Sequence, residues 1–364
     1  MNLYSFFAAN SPVAITMVNI FIINIILLYI LIFINNGKYD IFKFSKNKYK
    51  KNLQTIHTGY ISRFGGVAIV LTFFLLVQLL DNYNDKLLLT IFLFGVPIII
   101  IGFIEDLYQN IHPIYRLSIL FIASLILFIF AFNNLPLIDI PFLGKWINIP
   151  IISVIFYSLA LTGYINGVNF IDGTNGLASF SLLSSFLSLL FLTITFQDIE
   201  NARMILYAIT LIASFLLFNY PFGKIFLGDL GAYFLAWFLG IITIYVMNQN
   251  PAIPNWCAVC ILGYPMIEVI FSFSRKILSK KNPALPDRSH LHLKLYLVLS
   301  EKIENKIAAN SLVAPFISLI WLLPLILIPW IYFNKFLIII AIIIQILIYI
   351  LYYRFIPAER KLSK

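Results

Sequence analysis

Residues 336–353 read Phe-Leu-Ile-Ile-Ile-Ala-Ile-Ile-Ile-Gln-Ile-Leu-Ile-Tyr-Ile-Leu-Tyr-Tyr, eighteen positions without a single charge. As an α-helix rising 1.5 Å per residue, the run is about 27 Å long, close to the hydrocarbon thickness of a bilayer. Its apolar residues are continuous rather than alternating, which argues against a strand of a membrane barrel. In hydrocarbon, a backbone must satisfy its own N–H and C=O groups, and a helix does so within one segment. The run therefore reads as a membrane-spanning helix.

Runs of the same kind recur upstream, near 15–35, 64–80, 87–104, 117–133, 150–166, 177–196, 203–219, 231–247, 256–273 and 311–331. The composition agrees with them. Of 364 residues, 61% are hydrophobic and 11% charged, against ~25% charged in an ordinary soluble protein. That excludes a water-soluble globular enzyme, a disordered chain and a disulfide-rich secreted domain. The expected fold class is all-α: a polytopic integral membrane protein of about 10–11 transmembrane helices, one domain over residues 1–364. The N-terminal stretch lacks a basic region followed by a small-residue cleavage site, so the first span reads as a retained helix. There is no internal repeat.

The few charges set the orientation. All but four of the 25 Lys and Arg residues fall in the odd-numbered loops and the C-terminal tail. The exceptions are Lys86, Lys145, Arg203 and Lys335. Basic residues stay on the cytoplasmic side, which places the N-terminus outside and the C-terminus in the cytoplasm. The net charge of +10 then reports topology, and no nucleic-acid partner is expected. Cys257 and Cys260, at i and i+3 without a third ligand, read as packing residues rather than a redox pair.

Carboxylates near a membrane core are costly and mark function. Asp81, Asp85, Asp139, Asp198 and Glu200 fall on the outer side as solvated surface. Glu105 and Asp106 end the third span. Asp172 follows the fifth, in Asn166-Gly-Val-Asn169-Phe-Ile-Asp172-Gly-Thr-Asn175-Gly. Asp229 precedes the eighth, in Phe226-Leu-Gly228-Asp229-Leu-Gly231, and Glu268 lies near the inner end of the ninth. With this topology all five approach one membrane face. Apart from Lys224 near Asp229, no basic residue stands beside them in sequence, so they are expected to be uncompensated. Helix capping explains any one such motif. Three Gly-and-carboxylate loops on one side fit a divalent cation better, and Mg²⁺ takes one or two carboxylates plus substrate phosphates.

The next inner loop reads Pro286-Asp287-Arg288-Ser289-His290-Leu-His292. Histidine and arginine both donate to phosphate, arginine in bidentate fashion. A zinc reading of His290 and His292 needs ligands from elsewhere. His57 and Arg63-Phe-Gly65-Gly66 precede the second span. The glycine pair suits either close approach to an anion or helix packing. Together these pieces suggest phosphate chemistry at the cytoplasmic membrane face.

The chain resembles the polyprenyl-phosphate N-acetylhexosamine-1-phosphate transferase family. The matching motifs are Gly102-Phe-Ile-Glu105-Asp106-Leu, the Asn169–Asp172–Asn175 stretch, Phe226-Leu-Gly228-Asp229-x-Gly231 and Pro286-Asp287-Arg288-Ser-His290-Leu-His292, over about residues 55–300. The resemblance implies transfer of a sugar 1-phosphate, normally from a UDP-N-acetylhexosamine donor, to undecaprenyl (polyprenyl) phosphate in the membrane lipid, with release of UMP. It implies Mg²⁺, with Mn²⁺ as a substitute, a bacterial inner-membrane location and a family-level expectation of a homodimer. It also assigns roles. Asp229 and Asn169 become metal ligands. Asp106, Glu105 and Asp172 become catalytic groups at the acceptor phosphate and Mg²⁺. His290, His292, Arg288, Phe226, Asn219 and Gly228 become substrate-binding residues, with a core aromatic and a helix C-cap as the structural alternatives for Phe226 and Asn219.

Two departures stand out. Glu105 replaces the usual first Asp of a pair, and Glu105→Asp is expected to be tolerated. Asn175 stands where many members carry a second Asp. With the short histidine loop, Glu105 points to lipopolysaccharide or other surface-polysaccharide initiation rather than peptidoglycan synthesis. The main alternative is a transporter or flippase of lipid-linked sugars, which predicts acids at mid-membrane and related halves. A non-catalytic assembly scaffold is a third reading, which the intact Asp106, Asp172, Asp229 and His290 argue against.

Overall fold

The computed structural model describes residues 11–36, 61–79, 86–280 and 289–357. Among these there is no strand. The helices, in chain order, are α1 (Ser11–Asn36), α2 (Gly65–Leu79), α3 (Lys86–Tyr108), α4 (Pro113–Phe130), α5 (Gly144–Ile147), α6 (Pro150–Ile171), α7 (Leu177–Thr195) and α8 (Ile199–Asn219). They continue with α9 (Gly228–Gln249), α10 (Trp256–Ile261), α11 (Gly263–Leu278), α12 (Leu291–Lys302), α13 (Lys306–Phe316), α14 (Ser318–Trp321), α15 (Leu323–Ile331) and α16 (Lys335–Phe355).

Nine helical stretches among the described residues are long and apolar enough to cross a membrane. The other two expected spans are present in altered form. The run at 64–80 makes α2, only 15 residues long. The run at 256–273 is broken between α10 and α11 at Leu262. Pro265 causes the break, because it lacks the N–H that would bond the Ile261 carbonyl. That carbonyl is instead satisfied by the Ser185 hydroxyl at 2.8 Å. The stretch 306–331 is interrupted in the same way. Pro324 frees the Ile320 carbonyl, and the buried Gln345 amide donates to it at 2.9 Å. Neutral polar side chains thus take up the carbonyls freed by Pro265 and Pro324 where no water is available.

α9 is the hub. Most of its residues are buried, from Gly228 to Met247, and it packs against α2, α3, α6 and α7. A helix apolar all round belongs in the middle of a bundle. The peripheral helices turn large apolar side chains outward, including Ile15, Ile22 and Ile26 of α1 and Ile340, Ile343 and Leu347 of α16. Such a belt is what a lipid solvent covers. Cys257 and Cys260 are buried free thiols, packed as expected.

Glycines set the spacing at one end of the hub. A Cβ on Gly66 would fall against the Gly231 backbone, 2.6 Å from its Cα. A Cβ on Gly102 would stand 2.6 Å from the Leu230 Cα. So the start of α2, the end of α3 and the start of α9 meet backbone to backbone. The Gly65 and Gly66 amides donate to the Phe226 and Leu227 carbonyls at 3.0 and 2.9 Å. This decides the role of the glycine pair: it packs helices, and its N–H groups are already used.

Candidate active site

The junction of α2, α3 and α9 gathers the acids. Asp106, in the last turn of α3, is buried and points both oxygens at the start of α9. Oδ1 accepts the Asp229 N–H and Oδ2 the Leu230 N–H, each at 2.9 Å. These amides are orphan donors of a helix N-terminus, where negative charge is also favoured by the helix dipole. Asp106 is therefore a cap supplied from another helix. Gly228, with φ +76°, lies beneath it. A Cβ there would meet the Arg63 carbonyl and stand 2.6 Å from Asp106 Oδ2.

The expectation of uncompensated acids is corrected here. Arg63 Nη2 lies 2.7 Å from Asp229 Oδ1, and its Nε lies 3.4 Å from Asp106 Oδ1. Arg116, near the start of α4, bonds Asp229 Oδ2 at 2.9 Å and Glu105 Oε1 at 3.3 Å. Tyr233, one turn along α9, reaches Asp229 Oδ2 at 3.4 Å. Buried carboxylates crowded this closely require such compensation. Lys224, the only basic neighbour in sequence, is exposed and lies over the Phe222 ring. Glu105 has a second contact: its Oε2 accepts the Ile111 N–H at 3.0 Å and fastens the turn leading to α4.

Asp172 caps the C-terminal end of α6, its N–H bonding the Asn169 carbonyl. Burial pushes its carboxyl well above the ordinary range; Arg63 opposes this, Asp229 and Asp106 add to it, and the Gly228 N–H opposes it. Asp172 thus belongs to the same cluster. Asn169 is half-buried in the last turn of the same helix.

A second cluster adjoins the first. Glu268, on α11, is buried, with Oε1 2.8 Å from His290 Nδ1 and Oε2 accepting the Tyr349 hydroxyl at 2.9 Å. His290 stacks on His292 with centroids 5.9 Å apart and packs against Phe170 at 5.0 Å. His292 is buried against Gly173, where an added Cβ would strike its Nε2. Burial pushes the His292 imidazole down to about 3, with Glu268 opposing and His290 adding to the effect. Burial thus disfavours the cationic form of His292.

Other expected residues have structural work. Asn219 Oδ1 accepts the Gly176 N–H at 2.7 Å, and its Nδ2 donates to the Ile225 carbonyl at 2.8 Å. The helix-end reading of Asn219 is the one its contacts support. Asn175 donates to Ser311 and to the Pro221 carbonyl, so its missing charge is matched by neutral partners. Phe226 is half-buried beside the glycine pair. Arg288 and His57 lie outside the described residues. Arg116 reads in sequence as a topology marker and Arg63 also as part of the Arg63-Phe-Gly65-Gly66 element, and only the fold shows both facing Asp229.

The donor set suits a hard cation. Among the described residues, no group of three His, Cys, Asp or Glu side chains is arranged to hold a metal, which leaves His290 and His292 without a third zinc ligand. Mg²⁺ needs no complete protein cage, because it keeps waters and takes substrate oxygens. Asp229 is the candidate carboxylate for that mode, and its two oxygens are held by Arg63 and Arg116.

Comparison with known proteins bears on this geometry. The profile of Glycosyl transferase family 4 matches residues 88–247, a stretch that runs from α3 through most of α9. An undecaprenyl-phosphate alpha-N-acetylglucosaminyl 1-phosphate transferase of Thermotoga maritima is 30% identical over 237 residues, covering 65% of this chain and 68% of the relative. A probable undecaprenyl-phosphate N-acetylglucosaminyl 1-phosphate transferase of Bacillus subtilis is 26% identical over 246 residues, covering 66% and 67%. A phospho-N-acetylmuramoyl-pentapeptide-transferase of Lactococcus lactis is 31% identical over 153 residues, covering 40% and 46%.

Proposed function

Since the chain belongs to the polyprenyl-phosphate N-acetylhexosamine-1-phosphate transferase family, we propose that it transfers N-acetylglucosamine 1-phosphate from a UDP-sugar to undecaprenyl phosphate. An oxygen of the acceptor phosphate forms a bond to the β-phosphorus of the donor. The bond between that phosphorus and the bridging oxygen breaks, and UMP leaves. The donor sugar follows the names of the relatives from Thermotoga and Bacillus.

The observation that carries this reading is the convergence of Asp106, Asp172 and Asp229 with Arg63 and Arg116 at one end of the hub helix. Two polyanionic substrates need cations that do not require solvent to reorganise, and guanidinium groups held by carboxylates provide them. Arg63 and Arg116 would turn part of their donors to the phosphates. Asp106 keeps the start of α9 fixed, so the Asp229 carboxylate keeps its place. Asp229 and Asn169 would hold Mg²⁺, or Mn²⁺ in its stead, which supplies charge neutralisation at the diphosphate. A phosphate monoester has a second pKa of about 6, so the acceptor needs no strong base. His290, with Nδ1 held by Glu268, would donate to a phosphate oxygen from Nε2 when both ring nitrogens carry protons.

The site faces the cytoplasm of the inner membrane in this reading, because the charge pattern of the sequence assigns the basic loops and the acids to the same side. A homodimer and a role in surface-polysaccharide initiation belong to the same proposal. The test is UMP release by purified protein with undecaprenyl phosphate, Mg²⁺ and a panel of UDP-sugars. UMP formation strongest with UDP-N-acetylglucosamine is the expected result. No UMP with any donor, together with movement of a lipid-linked sugar across vesicles, would establish the transporter alternative instead.

A further inference from the structure

The buried Glu268 is absent from the roles assigned above, yet both its oxygens are committed. Oε1 meets His290 Nδ1 at 2.8 Å and Oε2 accepts the Tyr349 hydroxyl at 2.9 Å. Three separate elements supply this chain of contacts: α11 gives Glu268, the N-cap position of α12 gives His290, and α16 gives Tyr349. An ionised carboxylate only accepts hydrogen bonds, so a proton is held on Nδ1, and a second proton, on Nε2, is the one left to donate to a phosphate oxygen. Phe170 on one side and the parallel His292 ring on the other limit rotation of the imidazole. α16 is itself pinned to α12. Lys294 Nζ donates to the Tyr353 carbonyl at 2.8 Å and lies 3.9 Å over the Tyr353 ring.

We propose that Glu268 and Tyr349 are positioning residues of the transferase, holding the Nδ1 proton and the direction of His290 so that, with a second proton on Nε2, the ring donates to the substrate phosphates from Nε2. The proposal rests on the reading in which His290 meets those phosphates. Under it the last helix, which lies beyond the stretch matched by the family profile, is part of the catalytic apparatus. Tyr349 restrains Glu268, Glu268 restrains His290, and neither touches substrate.

The first test is a double-mutant cycle on UMP release, since groups that act only through one another are non-additive. Glu268→Gln is expected to lower kcat on the order of 10- to 100-fold, the usual scale for losing the partner that orients a functional histidine. KM for the UDP-sugar should change little. Tyr349→Phe is expected to cost less, about 3- to 10-fold. In a His290→Ala background both substitutions should add nothing further, within about twofold. A loss of the same factor in that background would show a general structural role and overturn the proposal, as would full activity of Glu268→Gln. The second test does not depend on turnover. The chain has 4 histidines, so ¹⁵N-histidine labelling with His290→Ala identifies the His290 signals. A protonated Nδ1 is expected in the wild-type protein, and an unprotonated Nδ1 would overturn the proposal even if activity were lost in every variant. Wild-type protein that releases no UMP refutes the transferase reading instead, and the two failures are distinct.

Discussion

The carboxylate of Asp106 accepts the backbone N–H of Asp229 at 2.9 Å, across 123 positions of sequence. The paired acids at the end of the third span are thus tied to the acid at the start of the eighth by a helix cap. Asp106→Asn is expected to lower stability by about 1–3 kcal/mol, because an amide matches only one of the two orphan donors and turns its NH₂ toward the other. Thermal unfolding in detergent measures it. A wild-type melting temperature in Asp106→Asn would refute the capping role.

Asp229→Asn separates chemistry from folding. The helix keeps its Asp106 cap, and Arg63 and Arg116 keep Asp106 and Glu105 as partners. Turnover is expected to fall on the order of 10²- to 10³-fold, the scale for losing one charge-stabilising group. Mn²⁺ affinity, followed by electron paramagnetic resonance, should fall with it while the protein remains folded. Unchanged Mn²⁺ binding would remove Asp229 from the ligand set.

Glu105→Asp now carries a more definite expectation than tolerance. The longer side chain spans from Arg116 to the Ile111 N–H, and a side chain one methylene shorter reaches one of them. A stability loss of about 1 kcal/mol is expected, with turnover kept within about tenfold because Arg116 keeps its bond to Asp229. Parallel melting curves and UMP release check both halves.

Gly66→Ala and Gly163→Ala form a matched pair. The first drives a methyl into the Gly231 backbone, which has no side chain to move aside, and it should separate α2 from α9 with loss of stability and activity. The second meets only the end of the Met266 side chain at 3.9 Å and should be neutral or stabilising by up to about 1 kcal/mol, the helix propensity gained. Equal effects of the two would discredit the close helix crossing.

Acid should destabilise the fold through His292. Its folded value is pushed down to about 3, below the ~6.5 of an unfolded histidine. Between these limits the unfolded chain binds more protons, so this contribution is complete above pH ~6.5 and is lost as pH falls toward 3. At about 1.4 kcal/mol per unit, lowering the pH to 5 costs about 2 kcal/mol. His292→Gln should flatten that part of the stability profile between pH 7 and 5. An unchanged slope would mean that the ring is protonated, and solvated, in the native state.

The membrane class was legible because a helix in lipid writes its length directly into a run of apolar residues. What escaped were features that depend on contacts between distant positions. Pro265 and Pro324 break helices, but their repair by Ser185 and Gln345 belongs to packing. The acids were visible one by one, because carboxylates are scarce in an apolar chain. Their compensation was not visible, since Arg63 stands 166 positions from Asp229 and Arg116 stands 113. The Gly65-Gly66 pair permitted two readings in sequence, and the carbonyls of Phe226 and Leu227 decide between them. Asn219 shows the same limit: its motif position suggests a ligand contact, and its buried amide is used by the backbone.

The central place of α9 has a consequence for biogenesis. Arg63, Asp106 and Arg116 all precede Asp229 in the chain, so a ribosome delivers the basic clamp and the helix cap before it delivers the carboxylate they hold. The pairing of Arg63 and Arg116 with Asp229 therefore waits on the synthesis of α9, although both arginines come earlier in the chain.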